Sequence, residues 1–205
     1  LGQQVLMGRM NIPAPILMET IQPGAGVSVS QYAALVARAR TNPASLTPAE
    51  QAILAQPSIP YNLDAWDGYQ AARETVLGSS RSLGKNLVVL SGDTHNAWAN
   101  ELQDRNGNAV GVEFATSSVT SPGFEEYLPN ENPATLAGAL QQLIAPLKYC
   151  DTSRRGYMVA TATASECRAD WVYVNTITSR NYTASTDKSL KVVAGAAGVG
   201  RIVAA

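Results

Sequence analysis

The chain has 205 residues, 45% of them hydrophobic and 15% charged, with a formal net charge of −1. That length and apolar content suffice for one domain with a proper core and exclude a disordered chain. A near-neutral balance leaves no basic surplus for a phosphate backbone, so nucleic acid is not an expected partner, and no apolar run reaches the roughly 18 residues of a membrane span. Two cysteines and one histidine fall short of a zinc framework, which leaves Cys150 and Cys167 as either a disulfide pair or two buried thiols.

The first four residues, Leu1-Gly2-Gln3-Gln4, carry neither an initiator Met nor the basic-then-apolar pattern of a signal peptide. The chain is therefore expected to begin inside a longer protein. Residues 8–30 contain Pro13, Pro15, Pro23, Gly24 and Gly26, a density that predicts an extended surface segment. Residues 32–40 read as a helix with Ser30 as its cap. Thr47-Pro48-Ala49-Glu50 opens a second by placing a cap, a proline at the first helical position and an acid in the first turn. Together these predict a helical insertion over residues 31–56.

Asp64-Ala65-Trp66-Asp67-Gly68-Tyr69-Gln70 reads as the start of the next helix, with Asp67 and Gln70 spaced as a capping box and Gly78 as its stop. Residues 87–90, Leu-Val-Val-Leu, form a short unbroken apolar run that suits a buried strand. Asp104-Arg105-Asn106-Gly107-Asn108 is a turn, and residues 109–116 form a strand that pairs with the residues before it. A hydroxyl-rich loop covers residues 116–123. Residues 133–143 form a helix capped by Asn132, and residues 156–164 and 169–177 form a strand pair. The tail, residues 181–205, is Gly/Ala/Val-rich toward its end and is expected to supply edge strands.

The only histidine lies in Ser91-Gly92-Asp93-Thr94-His95, directly after the apolar run, where ligands tend to bind in sheets that carry helices. Asp93 and His95 are two residues apart on an irregular turn, so both side chains can reach one crevice. A carboxylate and an imidazole together suit a divalent or trivalent metal, or a proton transfer. Spacing alone fits a packed, hydrogen-bonded histidine equally well.

Several ordered blocks go further. They are Leu1-Gly2-Gln3-Gln4-Val5; residues 64–69 with Arg73; residues 86–95 with Trp98; Val112-Glu113-Phe114; residues 116–123; and Arg155-Gly156-Tyr157. In this order they resemble the carboxy-terminal half of the PhoD-like alkaline phosphatases and phosphodiesterases, of the calcineurin-like metallophosphatase superfamily. The resemblance covers residues 1–178.

The resemblance implies an α+β fold in which mixed β-sheet layers with flanking helices make the carboxy-terminal half of an αββα sandwich, here residues 1–180. It implies Asp93 as a metal ligand and His95 as a second ligand or a phosphate contact, with Trp66, Tyr69 and Arg73 on the substrate side. For Trp66, Asp67 and Tyr69 a helix cap with packed aromatics is the competing reading. For Arg73 it is a pair with Asp64 or Glu74. The implied cofactors are divalent or mixed metal ions such as iron, calcium, zinc or manganese, and the implied partner is a phosphate ester. Most of the family's ligands stand in amino-terminal blocks that have no counterpart here, so the chain is expected to need an amino-terminal half, and to be inactive without it. Export to the periplasm or medium is common in the family and would allow a Cys150–Cys167 disulfide. A non-catalytic binding or scaffold domain that retains the fold is the alternative.

Overall fold

The computed structural model describes residues 1–195 and 201–205. The elements run β1 (Asn11–Pro13), α1 (Ala14–Ile21), α2 (Val29–Thr41), α3 (Pro48–Leu54), β2 (Ser58–Pro60), α4 (Gln70–Ser82), β3 (Leu87–Ser91), β4 (Ala97–Gln103) and β5 (Ala109–Ala115). They continue with α5 (Phe124–Tyr127), α6 (Pro133–Leu143), β6 (Leu147–Asp151), β7 (Gly156–Ala162), β8 (Glu166–Val174), β9 (Ala184–Val193) and β10 (Ile202–Ala204).

The apolar run of β3 pairs in parallel with β5, from Leu87 opposite Gly111 to Ser91 opposite Ala115. A Cβ on Gly111 would collide with the Leu87 carbonyl, so a glycine is needed for the two backbones to meet. β4 lies antiparallel to both β5 and β6, giving the order β3-β5-β4-β6. A second sheet, β10-β9-β8-β7, is antiparallel throughout.

Alternation along the strands divides the core. Ala97, Ala99, Val112, Phe114 and Tyr149 of the first sheet meet Ala169, Trp171, Tyr173, Leu190 and Val192 of the second. Trp171 packs edge-on against Phe114 and donates its indole N–H across the gap to Ala115 O at 2.9 Å. Burial of each large ring contributes about 3 kcal/mol, and the indole's polar end stays paired.

The opposite face of the first sheet carries the helices. Leu77 of α4 packs on Met7, Val89, Leu102 and Val110, while Leu136, Ala139 and Leu140 of α6 pack on Trp98, Leu147 and Cys150. The architecture is thus helices, sheet, sheet: an α+β fold of mixed sheets with flanking helices, as the sequence reading expects. The segment 181–205 supplies β9 within the second sheet and β10 at its edge. Residues 196–200 of that tail lie outside the described residues.

Four local readings need correction. Residues 8–30 are not wholly extended, because Pro15 falls in the first turn of α1, where its missing N–H costs nothing. The cap of α2 is Ser28, which forms a reciprocal capping box with Gln31, and not Ser30, whose hydroxyl instead reaches Glu131. Asp67 caps nothing. It lies in a 3₁₀ turn, Trp66–Gly68, and accepts the Met10 amide at 2.9 Å. Gly78 does not stop α4, which continues to Ser82 and ends before Gly84 at φ 60°.

Candidate functional site

The amino-terminal residues run beside β3 and extend the sheet. Leu90 N donates to Leu1 O at 2.9 Å, Gln3 N to Leu90 O at 3.0 Å, and Gly92 N to Gln4 O at 3.0 Å. The chain then crosses the helix-bearing face, where Glu113, fully buried, accepts the amides of Met7 and Gly8 at 2.7 and 2.8 Å and the Ser91 hydroxyl at 2.8 Å. Burial raises the Glu113 carboxyl above its ordinary range, against the lowering effect of those donors. The strand end that carries the histidine loop is therefore clamped from one side by residues 1–8.

Asp93 and His95 follow at the carboxyl end of β3, with φ of 69° and 61°. Among the described residues they are the only non-glycine positions with positive φ. Left-handed backbone costs a side-chain-bearing residue about 1 kcal/mol or more, so neighbours must hold it. Asn96, buried, donates to Thr94 O at 2.7 Å and accepts the Phe124 amide at 3.0 Å. Trp98 donates its indole N–H to the Thr94 hydroxyl at 2.7 Å, and Ser118 N lies 3.4 Å from His95 O. Arg155 pairs with Glu125 and Gly156 N donates to Ser118 O at 2.9 Å, which ties the start of β7 to the same loops.

His95 Nδ1 lies 2.9 Å from Pro122 O. A carbonyl can only accept, so Nδ1 carries a hydrogen and Nε2 is the nitrogen left facing away from that bond. A ring held this way suits metal ligation or a contact to a phosphate. The Asp93 carboxylate is exposed and receives the Gln4 side-chain amide at 3.3 Å.

Both residues line a cavity of about 710 Å³ together with Tyr61, Asn62, Phe124 and Tyr127. Tyr61 carries no functional reading in the sequence. Its ring is stacked edge-on by Phe124 at 5.5 Å, and its phenol is pushed up to about 12 by burial, with the Asp93 carboxylate adding to the effect. It stays protonated and can only donate to an anion at neutral pH. Its place directly before the 64–69 block was the one signal available.

Trp66, Tyr69 and Arg73 are not among the residues lining this cavity. Trp66 donates to the Gln3 side chain at 2.9 Å and packs on the cluster of Met7 and Leu77, while Tyr69 stands 58% exposed. Arg73, expected on the substrate side, lies in the core: it is 1% exposed and its guanidinium bonds Met7 O at 2.8 Å, Gln103 O at 3.1 Å and Glu74 at 3.1 Å. The pairing with Glu74 is the one the competing reading expects.

The expected disulfide is also corrected. Cys150 and Cys167 are both free. Cys150 faces α6, with Sγ 3.4 Å from Ala137 O, whereas Cys167 packs into the core between the sheets, so the first sheet's backbone separates them.

A metal ion is implied by the family resemblance. The donors present are of the right chemistry, an exposed carboxylate and an imidazole oriented by a carbonyl. Among the described residues, no group of three or more His, Cys, Asp or Glu side chains is placed to hold an ion. Asp93 and His95 thus fit as part of a coordination shell.

The model of the PhoD-like phosphatase family matches residues 1–171, and the chain belongs to that family. It is 31% identical over 136 residues to alkaline phosphatase D of Bacillus subtilis (strain 168), covering 63% of this chain and 22% of that relative. A solved structure of PhoD shares the fold, with a TM-score of 0.62 at 22% identity, over 100% of this chain and 31% of its own. The chain therefore spans less than a third of the length of these relatives.

Proposed function

We propose that these residues are the carboxy-terminal part of a metal-dependent phosphatase that hydrolyses phosphate mono- or diesters. The observation that carries the reading is the pair of left-handed residues, Asp93 and His95, held at a strand end in the wall of a cavity. Strain at such positions persists where a site needs the geometry.

In this reading Asp93 is a metal ligand, and His95 offers Nε2 to a second ion or to the phosphate. An ion held by these residues would supply Lewis-acid polarisation of a phosphoryl oxygen and a more acidic water. Candidate ions are iron, calcium, zinc and manganese, which carboxylate and imidazole donors suit in different mixtures. Tyr61 donates its hydroxyl proton in a hydrogen bond to a phosphoryl oxygen, and Pro122 O keeps His95 in one tautomer. The remaining ligands come from an amino-terminal half beyond these 205 residues, without which hydrolysis is lost. Placement in the periplasm or medium follows from the same family reading.

The test is hydrolysis of 4-nitrophenyl phosphate and bis(4-nitrophenyl) phosphate by the full natural chain and by the 205-residue chain alone, with bound metal measured in parallel. Asp93→Ala should abolish turnover by the full chain while leaving its circular dichroism unchanged. Unaltered turnover in that variant would favour a non-catalytic domain, and strong hydrolysis by the 205-residue chain would refute its dependence on other residues.

A further inference from the structure

The cavity beside His95 has walls that a phosphate alone does not explain. Ile16, Leu136 and Leu140 are buried in its lining, and Met18, Ile21, Ile59, Leu63 and Tyr127, all large apolar residues more than 40% exposed, gather around it. Most of its polar side chains are Asn62 and those of the loop Asp93, Thr94, His95 and Asn96. Thr20, also in the lining, turns its hydroxyl to Leu17 O at 2.7 Å and offers nothing to a guest. Hydrogen-bonding groups gathered largely on one loop, facing a chamber of mostly apolar aliphatic and aromatic side chains, match a molecule with a charged head and an apolar body.

We infer that this cavity holds the hydrocarbon part of the substrate, so that the preferred ester is a phosphate bearing a single alkyl chain. The inference rests on the phosphatase reading, since it places the phosphate at Asp93 and His95. At about 710 Å³ the space suits one chain entering from water as a monomer.

The experiment uses the full natural chain and a series of alkyl 4-nitrophenyl phosphates from methyl to octyl, kept below micelle formation. KM should fall about two- to fourfold for each added methylene until the cavity is filled, with little change in kcat. Ile21→Lys and Leu63→Lys, at positions 78% and 67% exposed and so outside the packed core, should flatten the series. A flat series in the unaltered enzyme, with the methyl ester still hydrolysed, would overturn the inference and spare the phosphatase reading. If no ester is hydrolysed, calorimetry with methyl- and octylphosphonate decides separately: tighter octyl binding keeps the hydrocarbon site, and equal binding removes it.

Discussion

Asp93 and His95 share left-handed backbone, at φ 69° and 61°, with Thr94 between them and a web of bonds from Asn96, Trp98 and Pro122 around them. Glycine adopts this conformation without the Cβ clash. Asp93→Gly and His95→Gly should therefore each raise stability by about 0.5–1 kcal/mol in urea unfolding, while turnover of a phosphate ester by the full natural chain falls at least a hundredfold. Loss of stability in both variants would show that the loop's side chains serve the fold.

Glu113 joins two amides, a hydroxyl and the Asn100 side chain beneath the site. Glu113→Ala leaves the Met7 and Gly8 amides unpaired in the core and should cost about 3–5 kcal/mol. Glu113→Gln keeps the shape and part of the bonding and should cost less. The comparison is made by denaturant midpoints, with amide exchange at Met7 and Gly8 reporting the local loss.

Arg73 reaches the backbone on both sides of the helix-bearing face, at Met7 O and Gln103 O. Lysine cannot make both contacts from one planar group. Arg73→Lys should lower stability by about 2 kcal/mol and leave KM of the full natural chain for a phosphate ester unchanged. A rise in KM without loss of stability would restore a substrate role.

Both thiols are free and both are raised above their ordinary value by burial. A thiol reagent should count two groups per chain in denaturant with or without reductant. In the native state Cys167 should react slowly and Cys150, deeper in the core, more slowly still. A count that depends on reductant would re-establish the disulfide.

Alkaline pH should destabilise the fold. Burial pushes Cys150, Tyr61 and Tyr149 up to about 12, from ordinary values of 9.0 for the thiol and 10.0 for the phenols. Between those limits the unfolded chain releases protons that the folded chain retains, so stability is complete below about pH 9 and falls as pH rises toward 12. The melting temperature measured from pH 8 to pH 12 checks this, and Tyr149→Phe should soften the decline.

Local pattern was enough to locate β3, β5 and α6 and to single out Asp93 and His95. An apolar run, the Asp104–Asn108 turn, the Asn132 cap and a lone D-x-H triplet each act over a few residues, and the ordered blocks pointed to the family. What local pattern could not carry was direction. Arg73 and Tyr61 stand on either side of one short segment, yet Arg73 is drawn into the core by carbonyls 66 and 30 residues away, and Tyr61 opens on the cavity with its ring edge-on to Phe124. Cys150 and Cys167 look pairable until strand pairing sets them on different sheets. Long-range bonding and the face on which each strand residue falls depend on register between distant segments, and that register is an outcome of the whole packed core.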